Sequence, residues 1–223
     1  MTTTASPLLQ LRGVSKTYQS ATGPDTVLHD VDLTIEAGQK VSLMGPSGSG
    51  KSTLLSLVAG LLRPDSGTVE IDGVALAGLD DGERAALRSD RIGIALQSEN
   101  LIPFLSAIEN VELALGFGRR GKNRGRANEL LERMGVVDRR DHLPRQLSGG
   151  EAQRVALAVA VANEPALLLA DEMVSALDSK TAGLVIDDVF ASEMAVLFVT
   201  HTVALADRAE RQLCLRGHSL VSR

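Results

Sequence analysis

A chain of 223 residues, 44% hydrophobic and 23% charged, holds enough apolar material for one large or two closely joined domains without disulfide or metal staples. A net charge of −5 and 2% aromatic content, with no tryptophan, exclude a surface built to coat nucleic acid and a platform for stacking bases. One cysteine, Cys214 in Leu213-Cys214-Leu215, cannot form an internal disulfide; it is expected to be a buried core residue in a reducing, cytoplasmic setting. The start, Met1–Ser6, is polar and does not read as a signal peptide. The longest apolar run, Val155–Ala162, is far short of the roughly 20 residues of a membrane span.

In chain order, strands are expected at Leu8–Val14, Val27–Ile35, Lys40–Met44 and Thr68–Ile71. Turn signals at Gly23-Pro24, Ala37-Gly38, Asp65-Ser66-Gly67 and Asp72-Gly73 separate them. A helix is expected from near Lys51 to Ala59. From about Asp81 to Arg145 the pattern turns helical, with three- and four-residue apolar spacing in Ala107–Leu115 and Leu130–Val137 and a strand at Arg91–Leu96. Gly118–Arg126, with five basic residues and no acid, reads as a solvated, mobile loop rather than the alternative, a docking patch. Beyond Leu147, a helix at Glu151–Ala162 alternates with wholly apolar strands, Ala166–Ala170 and Ala195–Val199, suited to burial on both faces of a parallel sheet. The fold class is α/β, with an antiparallel β-subdomain at the N-terminus and a helical insert at about 81–146 between core segments at about 1–80 and 147–223.

The sharpest chemical signal is Gly45-Pro46-Ser47-Gly48-Ser49-Gly50-Lys51-Ser52-Thr53, a complete phosphate-binding loop (Walker A) between an apolar strand and a helix. Its glycines let the backbone turn its N–H groups inward, Lys51 supplies a positive charge for the outer phosphates, and the Ser52 hydroxyl is a candidate Mg²⁺ ligand. The strand at 166–170 ends in Asp171-Glu172, the end of a parallel strand where α/β sheets place ligands. Asp171 is placed to hold Mg²⁺ and Glu172 to orient or deprotonate an attacking water. Ser148-Gly149-Gly150-Glu151, a turn running into a helix, is expected to present a second helix N-terminus with bare N–H groups.

In this order the motifs resemble the nucleotide-binding subunit of an ATP-binding-cassette (ABC) transporter, over essentially the whole chain. The resemblance implies a P-loop NTPase core, ATP and Mg²⁺ as ligands, and ATP hydrolysis. It also implies a head-to-tail dimer of two copies, with two ATP molecules held between residues 45–53 of one chain and 148–151 of the other. By the same resemblance Tyr18 stacks on adenine, Gln97 contacts Mg²⁺ and water, Ser175-Ala176-Leu177-Asp178 crosses the dimer interface, and His201 meets the γ-phosphate. The sequence departs from the family pattern at Met173-Val174 and Val159 and has a short interval between Asp178 and His201, and a C-terminal regulatory domain is not expected. None of these changes removes a catalytic group.

Gln97-Ser98-Glu99-Asn100-Leu101-Ile102-Pro103, Ile108-Glu109-Asn110-Val111 and the stretch Leu76–Arg88 are similar to subunits of the lipoprotein-release and macrolide-export type. The resemblance implies a separate membrane permease as partner and a place on the inner face of the cell membrane through that permease; the net charge and low aromatic content argue against a nucleic-acid partner. Alternatives are a cell-division or other non-transport ABC ATPase, and a weakly hydrolysing ATP sensor.

Overall fold

A computed structural model describes residues 6–21, 23–95, 101–118, 121–172 and 179–223. The strands are β1 (Leu9–Ser20), β2 (Gly23–Ile35), β3 (Lys40–Met44), β4 (Ser66–Ile71), β5 (Val74–Ala75), β6 (Ile92–Ala95), β7 (Leu167–Asp171), β8 (Ala195–Val199), β9 (Arg211–Arg216) and β10 (Ser219–Ser222). The helices are α1 (Lys51–Val58), α2 (Asp81–Arg91), α3 (Ala107–Phe117), α4 (Arg124–Arg133), α5 (Gly149–Val161), α6 (Ser179–Ala191) and α7 (Val203–Ala206). The chain divides into two compact units, one of Met1–Ala85 with Ala195–Arg223 and one of Ala86–Met194.

The first unit holds two sheets. One runs β2-β1-β4-β5 and is antiparallel throughout. Both strands of its first hairpin run longer than their apolar cores. β1 continues past Val14 to Ser20 through register shifts between Leu11 and Thr17, and its last residues are polar and exposed. β2 starts at Gly23 and includes Pro24, which an edge strand tolerates because its missing N–H has no ladder partner to lose. In the second sheet β3 lies parallel to β8 on one side and β9 on the other, and β10 pairs antiparallel with β9. β8 is apolar because both its faces are covered, with all five residues buried, and in β3 Val41 and Leu43 are buried beside the polar Lys40 and Ser42. Cys214 lies buried in β9 with a free thiol, as its apolar neighbours imply. Arg211 ties the sheets together, donating from Nη1 to the Thr34 carbonyl at 2.8 Å.

In the second unit β6 and β7 pair in parallel, from Ile92 opposite Leu167 to Ala95 opposite Ala170. α5 lies on β6 so closely that a Cβ on Gly93 would stand 2.4 Å from the Ala160 carbonyl oxygen, which is why glycine occupies that strand position. The buried face of α5, formed by Val155, Ala156, Leu157, Ala158 and Ala160, belongs to the core of this unit with α3 and α4. Two expectations are corrected here. The basic stretch is not all loop, because the Asn123 side chain accepts from Arg126 N–H at 3.0 Å and starts α4 within it. That helix ends at Arg133, short of Val137, because Gly135 takes a left-handed φ of 64°. Among the described residues no helix is long and apolar enough to cross a membrane.

Candidate functional site

The phosphate-loop residues lie in the first unit, where the chain leaves β3 and enters α1. Gly45 through Ser49 form the loop, Gly50 precedes the helix with φ 101°, and Lys51, Ser52 and Thr53 open it. The N-terminus of α1 has neither a side-chain cap nor an acidic residue in its first turn. Its positive dipole end therefore meets no acidic side chain within the first turn of the helix itself. Gly48 has φ +76° and no atom within 4 Å of where a Cβ would stand, so the backbone is open at that point. Among the described residues the buried Ser49 hydroxyl has no hydrogen-bond partner.

Lys51 is 7% exposed, and its ammonium donates to the Pro46 carbonyl at 2.7 Å and the Gly45 carbonyl at 3.0 Å. The loop thus folds over its own buried cation. An uncapped helix end, an open glycine, an unpartnered buried hydroxyl and a held ammonium together fit the terminal phosphates of a nucleotide.

Two more sequence-predicted residues meet this loop. The Tyr18 hydroxyl stands 3.5 Å from Thr53 Oγ1, and the Lys16 ammonium lies 5.8 Å from the Tyr18 ring centroid. Tyr18 is 38% exposed, so its ring is available to a flat ligand. His201 follows β8 and, with Met44, Gly45, Pro46 and Arg216, lines a cleft of about 370 Å³. The turn carrying it is fixed twice: Thr200 N–H donates to the Leu43 carbonyl at 3.3 Å, and Thr202 N–H donates to Thr200 Oγ1 at 3.0 Å.

The remaining groups belong to the second unit. Asp171 ends β7, and Glu172 follows with a left-handed φ of 51°. The Glu172 carbonyl accepts from Gln153 Nε2 at 2.6 Å. The Ser-Gly-Gly element is not a turn ahead of a helix: α5 begins at Gly149, and Ser148 is its N-cap. Nor are all its N–H groups bare. Ser148 N–H donates to Glu151 Oε2 at 2.8 Å, and Glu151 N–H donates to Ser148 Oγ at 3.2 Å. The bond from Ser148 N–H, with a second from Arg139 Nε at 2.9 Å, lowers the Glu151 pKa to about 2. Gln97, Met173-Val174 and Ser175–Asp178 lie outside the described residues.

Sequence reasoning missed the positioning residues. Asn110, 4% exposed, accepts from Ile102 N–H at 2.7 Å and donates to the carbonyls of Ile102, Leu105 and Ser106, organising residues 102–106. Gln153 is polar within an already polar helix turn, so no pattern separates it from a solvated side chain. A buried asparagine at the apolar spacing of α3 is a detectable signal.

Residues 28–175 match the ABC transporter family. Over 221 residues the chain is 41% identical to a lipoprotein-releasing system ATP-binding protein, LolD, of Hyphomonas neptunium, covering 96% of this chain and 97% of that protein. It is 45% identical over 206 residues to a macrolide export ATP-binding/permease protein, MacB, of Rhodopseudomonas palustris, covering 90% of this chain and 32% of that longer protein. Among solved structures, the ATP-binding cassette MJ0796, a dimer in a post-hydrolysis state bound to ADP and Pi, superposes with a TM-score of 0.91 at 40% identity. That match covers 96% of this chain and 98% of the other.

Proposed function

The chain belongs to the ABC transporter family as an ATP-binding ATPase, and from that premise we propose that two copies close head to tail around two ATP molecules to drive a separate membrane permease. The permease is of the lipoprotein-release or macrolide-export type, in keeping with the LolD and MacB relatives, and it holds the ATPase at the inner face of the membrane. The observation that carries this reading is the phosphate cradle, in which the buried Lys51 ammonium and the uncapped start of α1 stand beside Tyr18 and the His201 cleft.

In this mechanism Tyr18 stacks on adenine, the N–H groups of residues 45–53 wrap the phosphates, and Lys51 and His201 neutralise charge at the γ-phosphate. Glu172 takes a proton from the attacking water. Ser52, Asp171 and Gln97 offer a hydroxyl, a carboxylate and an amide, hard oxygen donors of the kind that suits Mg²⁺. The ion, when bound, offsets the charge of the outer phosphates. Ser148, Gly149, Gly150 and Glu151 face the nucleotide held by the other copy, so that ATP binding closes the dimer and loss of the γ-phosphate releases it. The helical segment 81–146, through Gln97 and the residues held by Asn110, passes that motion to the permease.

The test is affinity recovery of the chain from detergent-solubilised native membranes in the presence of ATP, followed by mass spectrometry. Recovery of a polytopic membrane protein with a large extracytoplasmic domain supports the reading. Recovery of soluble partners alone contradicts it.

A further inference from the structure

The hydrogen bond between Gln153 and Glu172 lies within one unit and joins two motifs that the sequence keeps 19 residues apart. Glu172 has Cβ yet adopts a left-handed φ of 51°, a conformation that crowds any L side chain and persists only where the surroundings hold it. Its carbonyl is held by the Gln153 side-chain amide at 2.6 Å, a short bond in a partly buried setting. We infer that Gln153 is a positioning residue for the Glu172 carboxylate: its amide clamps the Glu172 carbonyl, and the clamped backbone sets where the carboxylate points.

Gln153 also lies on α5 one turn beyond Gly149, on the same face of the helix. A helix moves as a rigid rod, so a shift of its start is delivered to the clamp. On the reading that residues 148–151 meet the partner's ATP and Glu172 is the base, on which this inference rests, α5 reports the partner's nucleotide to this copy's own base. Gln153 is then the link through which the two sites of the dimer sense each other.

The experiment is steady-state ATPase kinetics on the full chain and on Gln153→Ala, Gln153→Glu and Glu172→Gln. With the donor gone, Gln153→Ala is expected to lose about tenfold in kcat, with KM for ATP held within about twofold and the Hill coefficient moved toward 1. Gln153→Glu keeps the shape but cannot donate while ionised; its activity relative to the parent chain rises as pH falls from about 8 to about 5.5, toward the carboxyl range. Thermal melts and ATP binding equal to the parent's show that both variants are folded. An unchanged kcat in Gln153→Ala, a loss confined to KM, or a flat pH ratio in Gln153→Glu overturns the inference. Should Glu172→Gln turn over at the parent rate, the base assignment falls and this inference with it. An inactive Glu172→Gln beside a fully active Gln153→Ala removes the clamp alone.

Discussion

Ser148 and Glu151 close on each other, the serine N–H donating to the Glu151 carboxylate at 2.8 Å and the Glu151 N–H donating to the serine hydroxyl at 3.2 Å. The start of α5 therefore carries its own anion, whereas α1, also entered through glycine, carries none. Two glycine-rich helix starts that look alike as sequence are chemically different. The first has no side-chain cap and no acidic residue in its first turn. At the second, the N–H groups left for an anion are those of Gly149 and Gly150.

This cap has a pH signature. The Ser148 N–H and then Arg139 hold the Glu151 pKa at about 2, below its ordinary value of 4.5. A carboxylate with a lowered folded pKa stabilises the fold fully above its unfolded pKa, and that contribution fades as pH falls toward the folded value. Glu151→Gln is therefore expected to melt below the parent chain by a constant interval from about pH 8 down to pH 5. The interval should narrow between about pH 4.5 and 2. Thermal melts of both proteins across that range check it, and an interval independent of pH would remove the charge from the explanation.

Two glycines of the phosphate loop separate folding from binding. At Gly50, φ is 101° and a Cβ would come within 2.5 Å of Val27 Cγ1, so Gly50→Ala is strained in both backbone and packing. It is expected to cost about 1–3 kcal/mol of stability. At Gly48 a Cβ meets nothing within 4 Å, so Gly48→Ala bears only the left-handed penalty of about 1–2 kcal/mol. On the reading that the loop backbone wraps the phosphates, ATP affinity should fall by more than stability does. Calorimetric titration with ATP beside a denaturant melt distinguishes the two variants.

Much of the architecture was legible because burial on both faces writes itself into sequence. Lys40–Met44 and Ala195–Val199 appear at their predicted bounds, and Ala166–Ala170 appears one residue late as Leu167–Asp171. The hairpin of β1 and β2 was predicted too short, since its outer residues are polar and held by ladder bonds rather than by apolar packing. β9 and β10 carry arginines and serines at their edges and gave no clear run. Of the candidate site, Tyr18, Lys51 and His201 were found as motif positions, and the structure brings all three to one loop. Gln153 escaped notice because a side chain that grips a backbone carbonyl 19 residues away leaves no local spacing to read, whereas Asn110, which grips nearby carbonyls, is a polar residue set at the apolar spacing of α3.

Tyr18 supplies a graded test of base recognition. Its ring, 38% exposed and anchored near Thr53, is expected to stack on adenine. Tyr18→Ala should weaken ATP binding about tenfold or more, since a base–aromatic stack is worth about 1–3 kcal/mol. Tyr18→Phe keeps the ring and removes only the hydroxyl that stands 3.5 Å from Thr53 Oγ1, so its affinity should stay within about twofold of the parent's. Competition between a fluorescent ATP analogue and ATP measures both.

Lys51 holds the loop through two carbonyls and is expected to exchange that role for the phosphates when ATP binds. Lys51→Ala should reduce ATP affinity by about 100-fold, the scale of removing a charge-assisted hydrogen bond at a buried position. Lys51→Arg keeps the charge but not the compact shape, and is expected to fall nearly as far. Equilibrium binding by both variants checks the contribution of charge against that of shape.

The central claim, ATP-driven dimerisation undone by hydrolysis at Glu172, is tested most directly by Glu172→Gln. Light scattering with and without ATP gives the mass, and phosphate release gives the turnover. The expected result is retained ATP binding, turnover reduced by at least about 100-fold, and a stable dimer seen only with ATP. Parent-level phosphate release, or a monomer that persists at saturating ATP, would contradict the account.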